Sequence, residues 1–148
     1  MPDAATFAAV AVTLYAGHQL ADHVLGQTDR QAKHKMQPGW VGWSANLAHV
    51  AQYHLVLLGM LVVVAPVLQL PVSVLGVLAG LGFSAVTHAF LDRRWPVRWL
   101  LEHTGSAPFA RLGQPDQVQV GLNGMYLADQ SLHYAALWVS ALLVVVLS

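Results

Sequence analysis

The stretch AATFAAVAVTLYAGHQLADHVL, running from Ala4 to Leu25, decides the fold. A helix needs about 20 mostly apolar residues to cross a bilayer, and this run supplies them. Near its end it carries His18-x-x-x-Asp22, a polar pair at membrane depth. Three more apolar runs follow, from about Ser44 to Leu68, Val72 to Leu91 and Gly124 to Leu147. Each has polar residues at one end: His49 near the start of the second, His88-x-x-x-Asp92 at the end of the third, and Asp129-x-x-x-His133 near the start of the fourth. In an up-and-down bundle, the ends of odd helices and the starts of even helices share one face. The four clusters therefore converge at one depth.

Composition agrees with this reading. The chain of 148 residues is 56% hydrophobic and 9% charged, against about 25% charged in soluble domains. Open sheet edges are not tolerated in lipid, and no strand-like alternation is present. The expected fold is all-α: one integral membrane domain over 1–148, a four-transmembrane-helix up-and-down bundle. There is no cysteine, which excludes disulfides, thiolate metal sites and cysteine nucleophiles. Met1-Pro2-Asp3 lacks the basic start of a signal peptide, so the first run reads as a retained helix.

Asp3 and Ser44 are candidate N-caps. Pro71 suits the first turn of the third helix, and Pro66 should kink or end the second. The link around Gln69 to Pro71 is tight. The last connection, Arg93 to Asn123, is long. It is expected to hold a short interfacial helix over Pro96 to His103, followed by a Gly/Pro/Ser-rich stretch from Thr104 to Gly124 without regular structure.

All seven basic residues lie in two loops: Arg30, Lys33, Lys35, Arg93, Arg94, Arg98 and Arg111. The positive-inside rule places those loops in the cytoplasm and both termini outside. Trp40, Trp43, Trp95 and Trp99 flank the same face as an interfacial belt. The basic segment after the first helix reads first as an interfacial anchor for anionic lipid, and second as a rim meeting a phosphate. Arg93, Arg94 and Arg98 carry the same two readings. Net charge is near zero, and no nucleic-acid partner is expected.

The charged residues of the spans are Asp22, Asp92 and Asp129, each with a histidine four residues away. That spacing puts both side chains on one helix face. A carboxylate within the bilayer costs a few kcal/mol, and no Lys or Arg lies in the spans to offset it. The candidates to offset it are a bound cation, a bound proton or water. A metal fits best, since His and Asp both ligate zinc, iron and manganese, and a plain hydrogen-bonded network or proton path is the alternative. The candidate ligands are His18, Asp22, His49, His88, Asp92, Asp129 and His133. They suit two divalent transition-metal ions, zinc or iron, with Asp129 and Asp22 as candidate catalytic carboxylates. The expected activity is hydrolysis of a lipid-like or amphipathic substrate at the cytoplasmic face. The alternatives are a metal or proton transporter or sensor, a di-iron oxidase or hydroxylase, and a structural partner with metal as a staple. Apolar outer faces permit a homo-oligomer without demanding one.

Other residues rank lower. Gln19, Gln130, Asn46, Tyr53 and Tyr126 adjoin the ligands and are candidates to orient them. His54 reads as packing, and His23 as facing a neighbour or the interface. His34 and His103 have no evident partner. Gly76, Gly80 and Gly82 offer a small face for close helix packing.

The motif set HQLAD (18–22), Gln27-Thr28-Asp29 with a lysine at 33 or 35, ANLAH (45–49), HAFLD (88–92) and DQSLH (129–133) resembles, in order, a bacterial domain-of-unknown-function family, number 3307. The Trp95–Trp99 segment and the Ala-rich composition are similar to actinobacterial members. The resemblance implies a small multi-helix bacterial membrane protein. It carries no activity.

Overall fold

A computed structural model describes residues 3–25, 27–114 and 123–148. Among these residues there are seven α-helices and no strand: α1 (Ala4–Leu20), α2 (Asp29–His34), α3 (Gly39–Val67), α4 (Val74–Leu91), α5 (Trp95–His103), α6 (Ala107–Ala110) and α7 (Gly124–Val146). A π-helical turn, Ala21–Leu25, extends α1. The expected all-α four-helix bundle is the observed one. Four helices, Ala4–Leu25, Gly39–Val67, Val74–Leu91 and Gly124–Val146, are long and apolar enough to cross a membrane.

Short polar side chains set the starts. Asp3 accepts from the amides of Ala5 and Thr6, Ser73 from Gly76, and Asn123 from Tyr126. Each satisfies an amide that has no carbonyl partner in the first turn. Two expected starts move. The second span begins at Gly39, not Ser44: Pro38 is its extended cap and Gly39 takes φ 72°, a conformation that suits glycine. Ser44 sits within the helix and donates to the Val41 carbonyl. The third span begins at Val74, capped by Ser73, so Pro71 lies in the extended link before it. Proline offers no side-chain acceptor, whereas Ser73 has one. Pro66 falls in the last turn of α3, which ends one residue later.

The interfacial helix lies where expected, starting one residue earlier at Trp95. The stretch read as irregular contains α6. Residues 115–122 of that stretch lie outside the described residues.

The four long helices pack in a ring in chain order, α1 on α3, α3 on α4, α4 on α7 and α7 back on α1. Neighbours run antiparallel: Gly76 at the start of α4 meets Val144 at the end of α7, and Phe7 of α1 meets Trp138 of α7. A Cβ on Gly76 would lie 2.3 Å from the Val144 carbonyl oxygen, and one on Gly80 would lie 2.7 Å from that of Ser140. These two glycines set the α4–α7 approach. Gly82 does not belong with them, because a Cβ there meets nothing within 4 Å.

Burial is divided along the bundle axis. One half is a dry core of Val10, Leu14, Leu57, Leu61, Ala141 and Val144. The other half buries His18, Asp22, His49, His88, Asp92, Asp129 and His133. Meanwhile Val12, Leu55, Val62, Val63, Leu78 and Val86 are exposed. Polar side chains inside and apolar ones outside mark a multi-pass membrane protein, whose outer solvent is lipid.

Candidate metal centre

The polar half gathers donors from all four spans. Asp22 comes from the π turn after α1, His49 from α3, His88 and the cap residue Asp92 from α4, and Asp129 and His133 from α7. The π turn matters because such turns recur at functional sites. It also changes the angular step per residue, so the His18–Asp22 spacing loses its ordinary meaning.

Five of the seven candidate ligands converge. Asp22, His49 and His88 form one group, and His88, Asp92 and His133 form another; within each, the donor atoms all lie within 4.8 Å of one another. The tightest part surrounds two imidazole nitrogens. His49 Nε2 lies 3.0 Å from Asp22 Oδ1, 3.2 Å from His88 Nε2 and 3.4 Å from Asp92 Oδ2. His88 Nε2 lies 3.4 Å from the same Asp92 oxygen. A tetrahedral zinc with arms of about 2.0–2.1 Å has ligand–ligand edges of about 3.3 Å, so these separations fit donors around one ion. Asp22 Oδ1 makes no aligned hydrogen bond although His49 Nε2 is close. His49 Nε2 and His88 Nε2 are also within hydrogen-bond reach of each other, so the same donors can hold one another or a shared cation.

His133 is prepared in the same sense. Its Nδ1 lies 2.8 Å from the Asp129 carbonyl oxygen. A carbonyl only accepts, so Nδ1 carries the proton and Nε2 of the neutral ring is left as a lone pair. That Nε2 is buried without a hydrogen-bond partner among the described residues, 3.9 Å from Asp92 Oδ1. Asp92 thus turns one oxygen to His49 and His88 and the other towards His133. Asp129 stands beside these groups but in neither; its Oδ1 is buried and unpartnered among the described residues.

His18 is set apart from the convergent donors. Its Nε2 meets Gln130 Oε1 at 2.8 Å and its Nδ1 meets the Tyr53 hydroxyl at 2.9 Å. The amide oxygen accepts, so Nε2 donates and Nδ1 receives the tyrosine proton. Gln130 Nε2 in turn donates to Asp22 Oδ2 at 3.3 Å. His18 therefore holds Asp22 through Gln130, while both its own nitrogens are occupied. Of the flanking residues, Gln19 donates to the Tyr134 hydroxyl and Asn46 donates to the Ala89 carbonyl at 2.8 Å. His54 bridges the Val50 carbonyl and Ser84 as a packing residue. His23 bonds the Tyr126 hydroxyl at 2.6 Å. His103, expected without a partner, meets the Trp99 carbonyl and stacks on its ring at 4.5 Å.

Charge compensation differs from the sequence expectation. No basic residue lies in the spans, yet Lys35 enters from the loop. Its buried Nζ sits 3.0 Å from Asp92 Oδ2. Helix α2 places it: Thr28 and Gln31 form a reciprocal capping box, Gln31 donates to Gln52 of α3, and Gln52 donates to the Leu25 carbonyl at 2.7 Å. The Arg93 guanidinium closes the turn by donating to the carbonyls of Lys35 and Gln37, over the Trp43 ring. The lysine at 35 figured in the motif set, but no pattern in the sequence says that it folds inward.

A cavity of about 100 Å³ reaches this end of the bundle. Its lining includes Asp22, Asp92, Asp129, Lys35, Arg94 and Gln130. No protein-family model, curated protein or solved structure matches the chain.

Proposed function

We propose that this protein is a membrane-embedded metalloenzyme that holds two divalent transition-metal ions, zinc or iron, and hydrolyses a lipid-like or amphipathic substrate at the cytoplasmic face. The observation that carries the reading is the convergence of Asp22, His49, His88, Asp92 and His133, from four separate helices, at ion-ligand spacing. Asp22, His49, His88 and Asp92 would hold one ion. Asp92 and His133 would hold the second, with Asp92 shared between them and Asp129 beside it. When bound, the pair supplies Lewis acidity and favours ionisation of water near neutral pH.

The chain's own groups supply the remaining functions. Asp129 lines the cavity with Oδ1 unpartnered among the described residues, which suits it to take a proton from the attacking water. Asp22 is held by the Gln130–His18–Tyr53 chain and so presents Oδ1 in a fixed direction. Lys35 neutralises part of the charge at Asp92 and keeps three buried carboxylates compatible with one another. The dry core of Val10, Leu14, Leu57 and Val144 fills the other half of the bundle, which disfavours a transport path through it. The positive loops support a site against the cytoplasmic leaflet with both termini outside, and the family resemblance supports a bacterial inner membrane. Membership of the domain-of-unknown-function 3307 family, on the four motifs, belongs to the same proposal.

The decisive experiment is elemental analysis of purified protein. About two equivalents of a transition metal, lost on His88→Ala or Asp92→Ala with the helical content unchanged, is the expected result. Protein that folds and retains turnover without metal overturns the reading.

A further inference from the structure

The loop cations are not equivalent. Arg30 bonds Ser44, Lys33 pairs with Asp29, Lys35 with Asp92, and Arg93 with two carbonyls. Arg94 lines the carboxylate cavity, and its side chain makes no hydrogen bond or ion pair among the described residues. Its backbone is also unusual. Arg94 adopts φ 59°, ψ −27°, a left-handed conformation in which glycine is the default residue. Side chains kept in such positions cluster at ligand clamps and active sites.

A second void opens beside the same turn of chain. A groove of about 450 Å³, within the range of ligand pockets, is lined by Phe90, Trp95, Trp99, Leu100 and Leu132 among others. No residue lines both voids, but their linings are neighbours in sequence. Asp92 and Arg94 line the cavity while Leu91 and Trp95, which flank them, line the groove; on α7, Asp129 lines the cavity and Leu132 the groove. One turn therefore presents a guanidinium on one side and an aromatic trough on the other, beside the metal ligands.

We infer that Arg94 and this groove bind a lipid that ends in an unesterified phosphate, its tail along Trp95 and Trp99 and its phosphomonoester on Arg94 beside the carboxylate cavity. This rests on the metalloenzyme reading, since an anion beside three carboxylates needs the cations in place. Arginine suits a phosphate because its planar fork donates in pairs. An acyl chain suits the trough because both its lining and the surrounding solvent are apolar.

The test uses purified, metal-replete protein in detergent. Brominated-chain phosphatidic acid and brominated-chain phosphatidylcholine are titrated separately, and tryptophan quenching is read. Phosphatidic acid is expected to bind at least about tenfold more tightly, a factor worth one charge-assisted contact. Trp99→Phe should reduce the quenching amplitude. Arg94→Gly removes the cation where glycine fits the backbone, so it should fold and lose the preference. Arg98→Gln, an exposed cation outside the cavity, should keep it. Equal binding of the two lipids overturns the inference. So does a preference that survives Arg94→Gly or falls equally with Arg98→Gln. Glycerol 3-phosphate that competes as tightly as the lipid overturns the tail groove. Metal content of the same samples separates the two proposals. Metal retained without lipid preference defeats only this one; preference in protein that holds no metal defeats the metalloenzyme reading and the dependence of lipid binding on it, while leaving Arg94 as the lipid contact; loss of both defeats both.

Discussion

The two halves of the bundle share helices but not chemistry. In the apolar half, Leu57 and Val144 are fully buried among other aliphatic side chains. Lipid tails are as apolar as these residues, so water exclusion contributes little to holding helices together there. Close fit does it instead, through Gly17 against Leu57 and through Gly76 and Gly80 against α7. In the polar half, imidazoles and carboxylates are equally buried, yet hydrogen bonds and charge hold them. A site of this kind needs a scaffold that does not give way, and the fitted half supplies one.

The comparison breaks first at Lys35. Removing one partner of a buried ion pair costs about 3–5 kcal/mol. Lys35→Met should therefore lower the thermal stability of metal-free protein by that order, read by circular dichroism in detergent. Metal should restore much of the loss, because cations then compensate Asp92. Equal destabilisation with and without metal would show that Lys35 acts through packing alone. The matching change in the other half is Leu57→Ala. A buried leucine truncated to alanine costs about 2–5 kcal/mol, and here metal content should stay unchanged. Metal loss in Leu57→Ala would mean that the two halves are not separable.

A smaller effect tests the chain behind Asp22. Gln130→Leu keeps the volume but removes both the amide bond to Asp22 and the acceptor of His18. Supporting contacts of this kind change metal affinity by about 10–100-fold. Competition with a chromogenic chelator should report that loss, with helicity intact. An unchanged affinity would leave His18 and Gln130 as packing residues only.

The apolar half was legible in the sequence almost entirely, because span length and hydropathy are local properties. The polar half was legible in outline. His88 and Asp92, or Asp129 and His133, announce themselves by spacing on a regular helix. His18 and Asp22 take different partners because the π turn beginning at Ala21 changes the angular step between them, and nothing in the local residues marks it. Lys35 was hidden for a different reason. Its entry depends on α2, whose Thr28-x-x-Gln31 start is a capping-box pattern that was readable, but also on long-range bonds to Gln52 and from Arg93, which were not. The shift of the α3 start from Ser44 to Gly39 is similar, since Pro38-Gly39 is itself a break signal.

The smallest prediction separates two glycines that look alike in sequence. Gly80 and Gly82 lie in the same apolar helix, and both read as close-packing residues. The structure distinguishes them by what a methyl would meet. At Gly80 it meets the Ser140 carbonyl oxygen at 2.7 Å and a Val144 methyl at 2.5 Å, and at Gly82 it meets open space. Backbone contact cannot be relieved by a rotamer change, so Gly80→Ala must push α4 from α7, at a cost of about 1–3 kcal/mol. Gly82→Ala removes the entropy penalty of a mid-helix glycine and should gain about 0.5–1 kcal/mol. Opposite signs in thermal unfolding would place the tight seam on the α7 side of α4. Equal signs would mean that the α4–α7 seam does not depend on Gly80, and the rigidity attributed to the apolar half would lose its strongest contact.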